Sequence, residues 1–120
     1  MGQFALTIRI KRVYDRPEPE DGTRILVDRI WPRGVRKAAF GPGEWMRSVA
    51  PSSELRKWFD HDPAKWTEFE RRYREELREN PEEVEKLREL AREGTLTLCY
   101  SARDERHNQA VALRDYLLGP

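Results

Sequence analysis

Apolar and polar residues alternate near the start of the chain. Leu6, Ile8 and Ile10 are separated by polar residues, and this period of two predicts a half-buried β-strand over residues 4–14. Prolines, acids and a glycine interrupt any regular pattern over residues 16–22, which predicts a loop.

Two continuous apolar runs predict strands that are covered on both faces. The first covers residues 25–28 and ends at Asp28, and the second covers residues 95–100. Pro32 and Gly34 prevent the first strand from continuing. A loop with some helix is expected from there to about residue 50.

Helix-start signals mark the middle of the chain. Ser52 or Ser53 can cap a short helix that runs to residue 59. Asp62 followed by Pro63 predicts the start of a longer helix. Its inner face is predicted from apolar residues spaced three and four apart, at Trp66, Phe69, Tyr73 and Leu77.

A third helix is predicted to begin at Asn80 and Pro81, where Glu83 would complete a capping box with Asn80. Its inner face consists of Val84, Leu87, Leu90 and Ala91. Gly94 ends it. After the strand at 95–100, residues 106–118 predict a last helix with Asp104 as its N-cap.

The order of these elements predicts an α/β fold. Two strands, several helices, a third strand and a last helix indicate a small, mostly parallel sheet of about three to four strands flanked by helices, in a Rossmann-like three-layer arrangement. The helical stretch before the strand at 95–100 is long enough for a parallel crossover. A length of 120 residues fits a single domain over residues 1–120.

Composition excludes several classes of protein. Charged residues make up 38% of the chain, yet the net charge is only +1, so no general excess of positive charge favours nucleic acid. One cysteine, Cys99, permits no intramolecular disulfide. Because no apolar run reaches membrane-spanning length and no signal peptide pattern begins the chain, we expect a soluble cytoplasmic protein with no membrane partner.

Cofactor and metal motifs are missing from the sequence as well. Two histidines and one cysteine show no metal-ligand spacing, and neither a dinucleotide-binding glycine motif nor a Walker loop is present. We therefore expect no metal and no cofactor. Cys99 lies within a predicted strand, which argues against a role as a nucleophile.

The segment after the strand at 95–100 is the first candidate site. Tyr100 ends the strand, Ser101 and Arg103 lie in the turn, and Asp104 would cap a helix that begins with residues including His107 and Asn108. Free N–H groups at a helix start attract anions, and arginine and histidine add donors. The alternative is structural: Asp104 caps the helix and the arginines pair with neighbouring acids.

The segment at 28–34 is the second candidate. Asp28 can orient a neighbouring group, Arg29 and Arg33 offer forked donors to phosphate or carboxylate, and Trp31 can floor a pocket or stack on a base. The alternative is a buried Asp–Arg pair with Trp31 in the core. If the two buried strands are parallel, both segments lie at the same carboxyl edge of the sheet, where α/β proteins bind ligands.

A third candidate is His61, between two predicted helices. A histidine there can exchange protons near neutral pH. Most histidines in such a position are surface turn residues, and we favour that interpretation.

Four blocks of sequence resemble the YeaO-like proteins, a bacterial family of unknown function. The blocks are KRVYD at 11–15, DGTRILVDRIWPRG at 21–34, APSSELRKWFDHDPAKWTEFERRY at 50–73 and LCYSARDERHNQAVAL at 98–113. The resemblance implies a compact bacterial α/β protein with no established activity. It also implies kinship with a wider superfamily that pairs a strand ending in Asp-Val-Arg with a strand leading to Cys-His-Arg.

This chain resembles the first superfamily element at Val27-Asp28-Arg29. At the second it has Arg106-His107-Asn108, so it lacks the cysteine of that element. The resemblance therefore implies no thiol chemistry here.

Three functions remain open from the sequence. The leading hypothesis is a hydrolase- or transferase-type enzyme acting on a small phosphorylated or nucleotide-like substrate. Its catalytic residues would be Asp28, Asp104 and His107. Its substrate-binding residues would be Arg29, Trp31, Arg33, Tyr100, Ser101, Arg103 and Asn108. The alternatives are a non-catalytic module that binds a nucleotide, another anion or a protein, and a nucleic-acid-binding protein, which the low net charge disfavours.

Overall fold

The computed structural model of the protein describes residues 6–40 and 43–119 and contains a four-stranded parallel sheet. The strands run in the order β1-β4-β2-β3 across the sheet. Their bounds are β1 Ile8–Arg12, β2 Thr23–Leu26, β3 Glu44–Trp45 and β4 Leu96–Tyr100. The prediction of a small parallel sheet is confirmed, and β3 adds a short strand within the region expected to be loop and helix. The first two residues of the strand predicted over 4–14 lie outside the described residues.

Strand β4 is the centre of the sheet, and all five of its residues are buried. Leu96 lies opposite Ile8 of β1 on one side and Thr23 of β2 on the other. Gly22 makes the approach of β2 possible, because its φ is +62° and a Cβ there would lie 2.2 Å from the carbonyl oxygen of Thr95.

Five α-helices accompany the sheet. They are α1 Lys37–Phe40, α2 Ser53–Phe59, α3 Trp66–Arg78, α4 Pro81–Glu93 and α5 Gln109–Leu118. Short 3-10 turns cover Pro19–Asp21, Arg47–Val49 and Pro63–Lys65. None of the helices in the described part of the chain has the length and apolar character needed to cross a lipid bilayer.

Two of the predicted helix starts are confirmed. The Ser52 hydroxyl accepts a hydrogen bond from the backbone N–H of Leu55 at 3.1 Å and caps α2. Asp62 accepts one from the N–H of Ala64 at 3.0 Å and caps the 3-10 turn that leads into α3. These side chains satisfy N–H groups that lack partners at a helix start.

The predicted capping box of α4 is wrong. The Asn80 side chain donates to the carbonyl oxygen of Ser48 at 2.9 Å, and the Ser48 hydroxyl donates to Glu83 at 3.0 Å. Both polar residues of the motif therefore hold α4 against the turn at Arg47–Val49, because a partner from another segment competes with the local one.

Different elements pack on the two faces of the sheet. Helices α2 to α5 pack on the face that carries Ile25, Leu98 and Tyr100. The buried residues of α3 and α4 are those that the spacing predicted: Phe69, Tyr73, Leu77, Val84, Leu87 and Ala91. On the opposite face, Leu26 and Cys99 pack with residues that include Phe40 of α1. The sheet is therefore the middle of three layers, as expected, with a thin third layer.

A buried ion network lies at the start of β2. Asp21 has no exposed surface, and its carboxylate contacts the Lys11 ammonium at 3.1 Å and the Arg24 guanidinium at 3.7 Å. Burial acts to raise the pKa of Asp21, but the N–H of Glu18 and the charge of Lys11 outweigh it and hold that pKa below its ordinary value. The Thr97 hydroxyl of β4 also donates to the Asp21 carbonyl oxygen at 2.6 Å. This network fixes the loop at residues 16–22 to the sheet.

Candidate ligand-binding site

The two candidate segments meet at the carboxyl edge of the sheet. The Ser101 hydroxyl, which follows β4, donates to one carboxyl oxygen of Asp28, which follows β2. The Gln109 side chain donates to the other Asp28 oxygen at 2.5 Å. Because β2 and β4 are parallel neighbours, residues separated by more than seventy positions form one polar cluster.

A cavity of about 280 Å³ opens beside this cluster, and we call it the edge cavity. Its apolar walls include the buried residues Pro32, Pro51, Phe59 and Phe69. Phe59 and Phe69 stack on each other with ring centroids 4.3 Å apart. The cavity is therefore a mostly apolar depression with polar groups at one end, which is the usual construction of a small-molecule site.

Asp28 lies at the buried end of the edge cavity, where it is 8% exposed. Burial raises the pKa of its carboxyl group above the ordinary value. Hydrogen bonds from Ser101 and Gln109, and the charge of His61, oppose that rise. No arginine pairs with Asp28 in the described part of the chain, so the buried Asp–Arg pair considered from the sequence does not form.

Three arginines line the edge cavity, and they differ in whether the guanidinium group is already hydrogen-bonded. Arg29 donates to the carbonyl oxygens of Pro51 at 2.7 Å and Ala50 at 3.3 Å, which fixes its guanidinium against the loop before α2. Arg33 and Arg56 are exposed at the mouth. Neither of their guanidinium groups has a hydrogen-bond or ion-pair partner among residues 6–40 and 43–119. Within the described part of the chain, the mouth thus presents two positive charges that have no partner.

Trp31 forms part of the cavity wall. Its indole N–H donates to the carbonyl oxygen of Val35 at 2.7 Å. The ring packs edge to face with Phe40 and Trp45. These contacts fix the indole between the cavity and the thin layer on the far face of the sheet.

Asp104 and His107 lie outside the lining of the edge cavity. The Asp104 carboxylate accepts from the backbone N–H of Arg106 at 2.9 Å and of His107 at 3.0 Å, and it contacts His107 Nδ1 at 2.9 Å. The His107 ring packs edge to face with Trp66, 5.4 Å between centroids. Arg103 and Asp104 line a separate depression that shares His61, Ser101 and Ala102 with the edge cavity.

The start of the last helix differs from the prediction. Asp104 closes a turn over residues 104–107, and α5 begins at Gln109 with Asn108 as its N-cap. The Asn108 side chain accepts from the N–H of Val111 at 3.1 Å and donates to the Asp104 carbonyl oxygen at 2.9 Å. Asp104 is therefore not the N-cap, and Arg103 lies a full turn before the helix.

Tyr100 and Asn108 differ in their access to the cavity. Tyr100 is 2% exposed and belongs to the core, where burial raises the pKa of its hydroxyl. Asn108 itself lines the edge cavity. Of the residues predicted to bind substrate, the structure brings Arg29, Trp31, Arg33, Ser101 and Asn108 to this cavity.

Sequence reasoning named His61 but favoured a surface turn role for it, and it missed Arg56 and Gln109. Arg56 and His61 line the edge cavity together with Gln109 of α5. The one signal for His61 is its place in an Asp-His-Asp-Pro turn, where Asp60 and His61 both have positive φ, at 47° and 55°. Arg56 and Gln109 carried no signal, because their position depends on how the helices pack over the sheet.

No metal or thiol site is evident in the described residues. Among them, no group of three or more His, Cys, Asp or Glu side chains is arranged to hold a metal ion. Cys99 is buried in β4, and burial raises the pKa of its thiol to about 11. A thiol in that state is almost entirely protonated at neutral pH and is a poor nucleophile.

Comparison with known proteins gives relatives over nearly the whole chain. The chain is 42% identical over 112 residues to the uncharacterized protein YeaO of Escherichia coli strain K12, which covers 93% of this chain and 97% of YeaO. It is equally identical to the uncharacterized protein Rv3073c of Mycobacterium tuberculosis strain H37Rv, with 93% of this chain and 94% of that protein covered. No solved structure matches at a significant level.

A family model also matches the chain. It is described as the inactive DUF488-N3 subclade and covers residues 7–120. The match includes every residue of the edge cavity. The chain therefore belongs to the YeaO-like bacterial proteins, in the family described as the inactive DUF488-N3 subclade.

Proposed function

We propose that this protein is a non-catalytic binding module whose edge cavity takes a small molecule with an anionic group. One observation carries the proposal. At the mouth of an otherwise mostly apolar cavity, the guanidinium groups of Arg33 and Arg56 are exposed and free of carboxylate partners among the described residues. Forked guanidinium donors match the oxygens of phosphate and carboxylate groups.

The strength of such contacts is sufficient for useful binding. A hydrogen bond to a charged group contributes about 1.5–3 kcal/mol. Three such bonds from the two arginines would bring a phosphate close to micromolar affinity, which requires about 8 kcal/mol. Arg29 supports the same mouth through its hold on Pro51, although its own donors are partly used there.

Two features favour binding over catalysis. The pair of Asp104 and His107, the acid–base candidates, lies outside the edge cavity and is engaged in closing its own turn. Asp28 already accepts hydrogen bonds from the Ser101 hydroxyl and from the Gln109 side chain. The word inactive in the description of the family agrees with this proposal.

An enzyme of hydrolase or transferase type is the second candidate. It is favoured by one observation, the raised pKa of the buried Asp28 carboxyl group in a cavity, because acid–base groups at active sites often have such shifted pKa values. A catalyst would consume a phosphorylated or nucleotide-like compound. Phosphorus NMR of the protein with such compounds separates the two candidates, and we expect no turnover.

Thermal unfolding with inorganic phosphate tests the binding proposal. Phosphate should raise the melting temperature of the wild type, and sodium chloride should weaken the effect because it screens exposed charges. The double substitution Arg33→Ala with Arg56→Ala should abolish the phosphate effect. Arg29 is left unchanged in this test, since its loss would also release the Pro51 carbonyl oxygen.

A matched control removes the same charge elsewhere. Arg36 and Arg78 are exposed, and neither lines the edge cavity. The double substitution Arg36→Ala with Arg78→Ala should retain the phosphate effect of the wild type. Equal effects of phosphate on both double variants would refute the anion site.

A further inference from the structure

The buried end and the mouth of the edge cavity carry different kinds of polar group. Asp28 and Asn108 are buried, Ser101 and Gln109 are partly buried beside them, and Arg33 is exposed at the opening. Acceptor groups therefore lie at depth and positive charge lies at the rim. A ligand that fits both ends carries N–H donors at one end and an anion at the other.

Most donors at the buried end are already used, and among the described residues the second N–H of the Gln109 amide and that of the Asn108 amide are the ones left without a partner. The Ser101 hydroxyl and one N–H of the Gln109 amide both donate to the Asp28 carboxyl group. The Asn108 amide donates to Asp104 and accepts from Val111. An ionised carboxylate offers about four acceptor sites, of which two are filled here, and the hydroxyl oxygen of Ser101 and the amide oxygen of Gln109 add further acceptors.

The groups available at the buried end of the edge cavity therefore favour a ligand that donates hydrogen bonds there. A ligand carbonyl or phosphate placed there would face mainly acceptor oxygens and lose most of its hydrogen bonds with water. Such an unpaired buried polar group is costly. An N–H group would satisfy the remaining capacity of Asp28 and is the chemistry that the buried end fits.

The walls of the cavity indicate a flat ligand. Phe59 and Phe69 form a stacked aromatic pair in the lining, with an interplanar angle of 24°, and Pro32 and Pro51 add rigid apolar surface. Planar rings pack well against aromatic surface. A volume of about 280 Å³ is at the lower end of the range for small-molecule pockets, which suits one ring system.

We propose that the edge cavity binds a nucleoside monophosphate base-first, with an N–H of the base donating to Asp28 and the phosphate held by Arg33 and Arg56. This inference rests on the proposed function, since it uses the same cavity and the same arginines. It adds the class of ligand and its orientation. Asp28 is then the residue that distinguishes a nucleotide from a simple phosphate.

Calorimetric titration of the wild type with a graded series of ligands tests this orientation. The series comprises inorganic phosphate, ribose 5-phosphate, phosphoethanolamine and the 5′-monophosphates of adenosine, guanosine, cytidine and uridine. At least one nucleotide should bind tighter than ribose 5-phosphate by about ten- to a hundredfold, the effect of one charge-assisted hydrogen bond. Phosphoethanolamine, which has an ammonium donor but no ring, should bind more weakly than that nucleotide.

The substitution Asp28→Asn tests the role of the carboxyl group. It should reduce the affinity of the preferred nucleotide to the level of ribose 5-phosphate and leave ribose 5-phosphate unchanged. The double substitution Arg36→Ala with Arg78→Ala is again the control, and it should leave the affinities of both ligands unchanged. If Asp28→Asn does not fold, methylation of the ring or amino N–H of the preferred nucleotide removes the same hydrogen bond in the wild type, with the same expected loss.

Different results overturn the two proposals separately. Failure of every phosphate compound to bind would overturn the proposed function. Equal affinities of ribose 5-phosphate and all four nucleotides would overturn the base-first inference alone. So would tighter binding of phosphoethanolamine than of any nucleotide, or a folded Asp28→Asn variant that keeps the preference of the wild type.

Discussion

Two buried aspartates in this protein have opposite environments. Asp21 is held by the cations Lys11 and Arg24, which lower its pKa together with a backbone N–H. Asp28 is held mainly by neutral donors, and burial raises its pKa. The first arrangement stabilises a negative charge within the fold. The second leaves a carboxyl group whose charge is not balanced nearby, at the buried end of the edge cavity, which is why Asp28 is central to the proposed site.

Removal of the Asp21 carboxylate should destabilise the protein severely. Asp21→Ala leaves the buried Arg24 without its acidic partner, while Lys11 keeps only the exposed Glu18. Because an uncompensated buried charge remains, we expect a loss of about 3–5 kcal/mol in the free energy of unfolding, measured by urea denaturation. Asp15→Ala, at an exposed position, is the control and should change little. A loss below about 1 kcal/mol for Asp21→Ala, typical of a surface pair, would contradict this account.

The start of helix α5 shows how far local sequence signals reach. Asp104 and Asn108 are both good N-cap residues, and the sequence alone favours the first acid after the strand. The structure uses Asn108, because the buried face of α5 contains Ala110, Leu113 and Leu117, and Asp104 is engaged in a preceding turn. The packing of α5 decides which of these two suitable residues is the N-cap, and the local sequence pattern carries no information about that packing.

Substitution of the two cap candidates distinguishes their roles. Asn108→Ala should lower the free energy of unfolding by about 1–2 kcal/mol, because it removes the N-cap of α5. Asp104→Ala should have a smaller effect, since it alters an exposed turn outside the helix. Urea denaturation of both variants measures the difference. A larger loss for Asp104→Ala would mean that the turn, and not the cap, determines where α5 begins.

The other elements also fall into two groups: those predicted by local residue spacing and those that depend on long-range contacts. The long apolar strand β4 and the helices α3 and α4 were predicted correctly, because their spacing of apolar residues is complete within one segment. Strand β3 has only two residues, Glu44 and Trp45, which is too short for any period. It exists because its partner β2 is already in place.

At the scale of the whole molecule, three segments and Phe69 of α3 build the edge cavity. Residues 28–33 and 101–109 were predicted to meet, because each follows a buried strand and parallel strands end at one edge. The third segment, residues 51–61, includes Arg56 and His61. Its place depends on the packing of α2 against α3 over the sheet, and no pattern within the segment indicates that packing.

The two buried aspartates should also give the protein opposing dependences of stability on pH. The pKa of Asp28 is raised in the folded protein. Above the ordinary pKa of 3.8, the unfolded chain therefore binds fewer protons than the folded protein does. The contribution of protonated Asp28 to the free energy of unfolding is lost as pH rises through the folded pKa. For Asp21 the folded pKa is lowered. Its contribution is present above the ordinary value and is lost as pH falls.

Urea denaturation from about pH 3 to 7 tests both signs. The free energy of unfolding of Asp28→Asn, relative to that of the wild type, should increase with rising pH. The same difference for Asp21→Asn should become more unfavourable with rising pH. Parallel trends in the two variants would contradict the opposite pKa shifts of Asp21 and Asp28.

The central position of β4 has a consequence for the order in which the protein forms during synthesis. Strands β1 and β2 do not pair with each other, and each pairs with β4, at residues 96–100. Until the ribosome has released that segment, both earlier strands expose unpaired backbone groups and apolar faces. We therefore expect the nascent chain to gain protease resistance late and abruptly, after β4 emerges, and to depend on protection by chaperones until then.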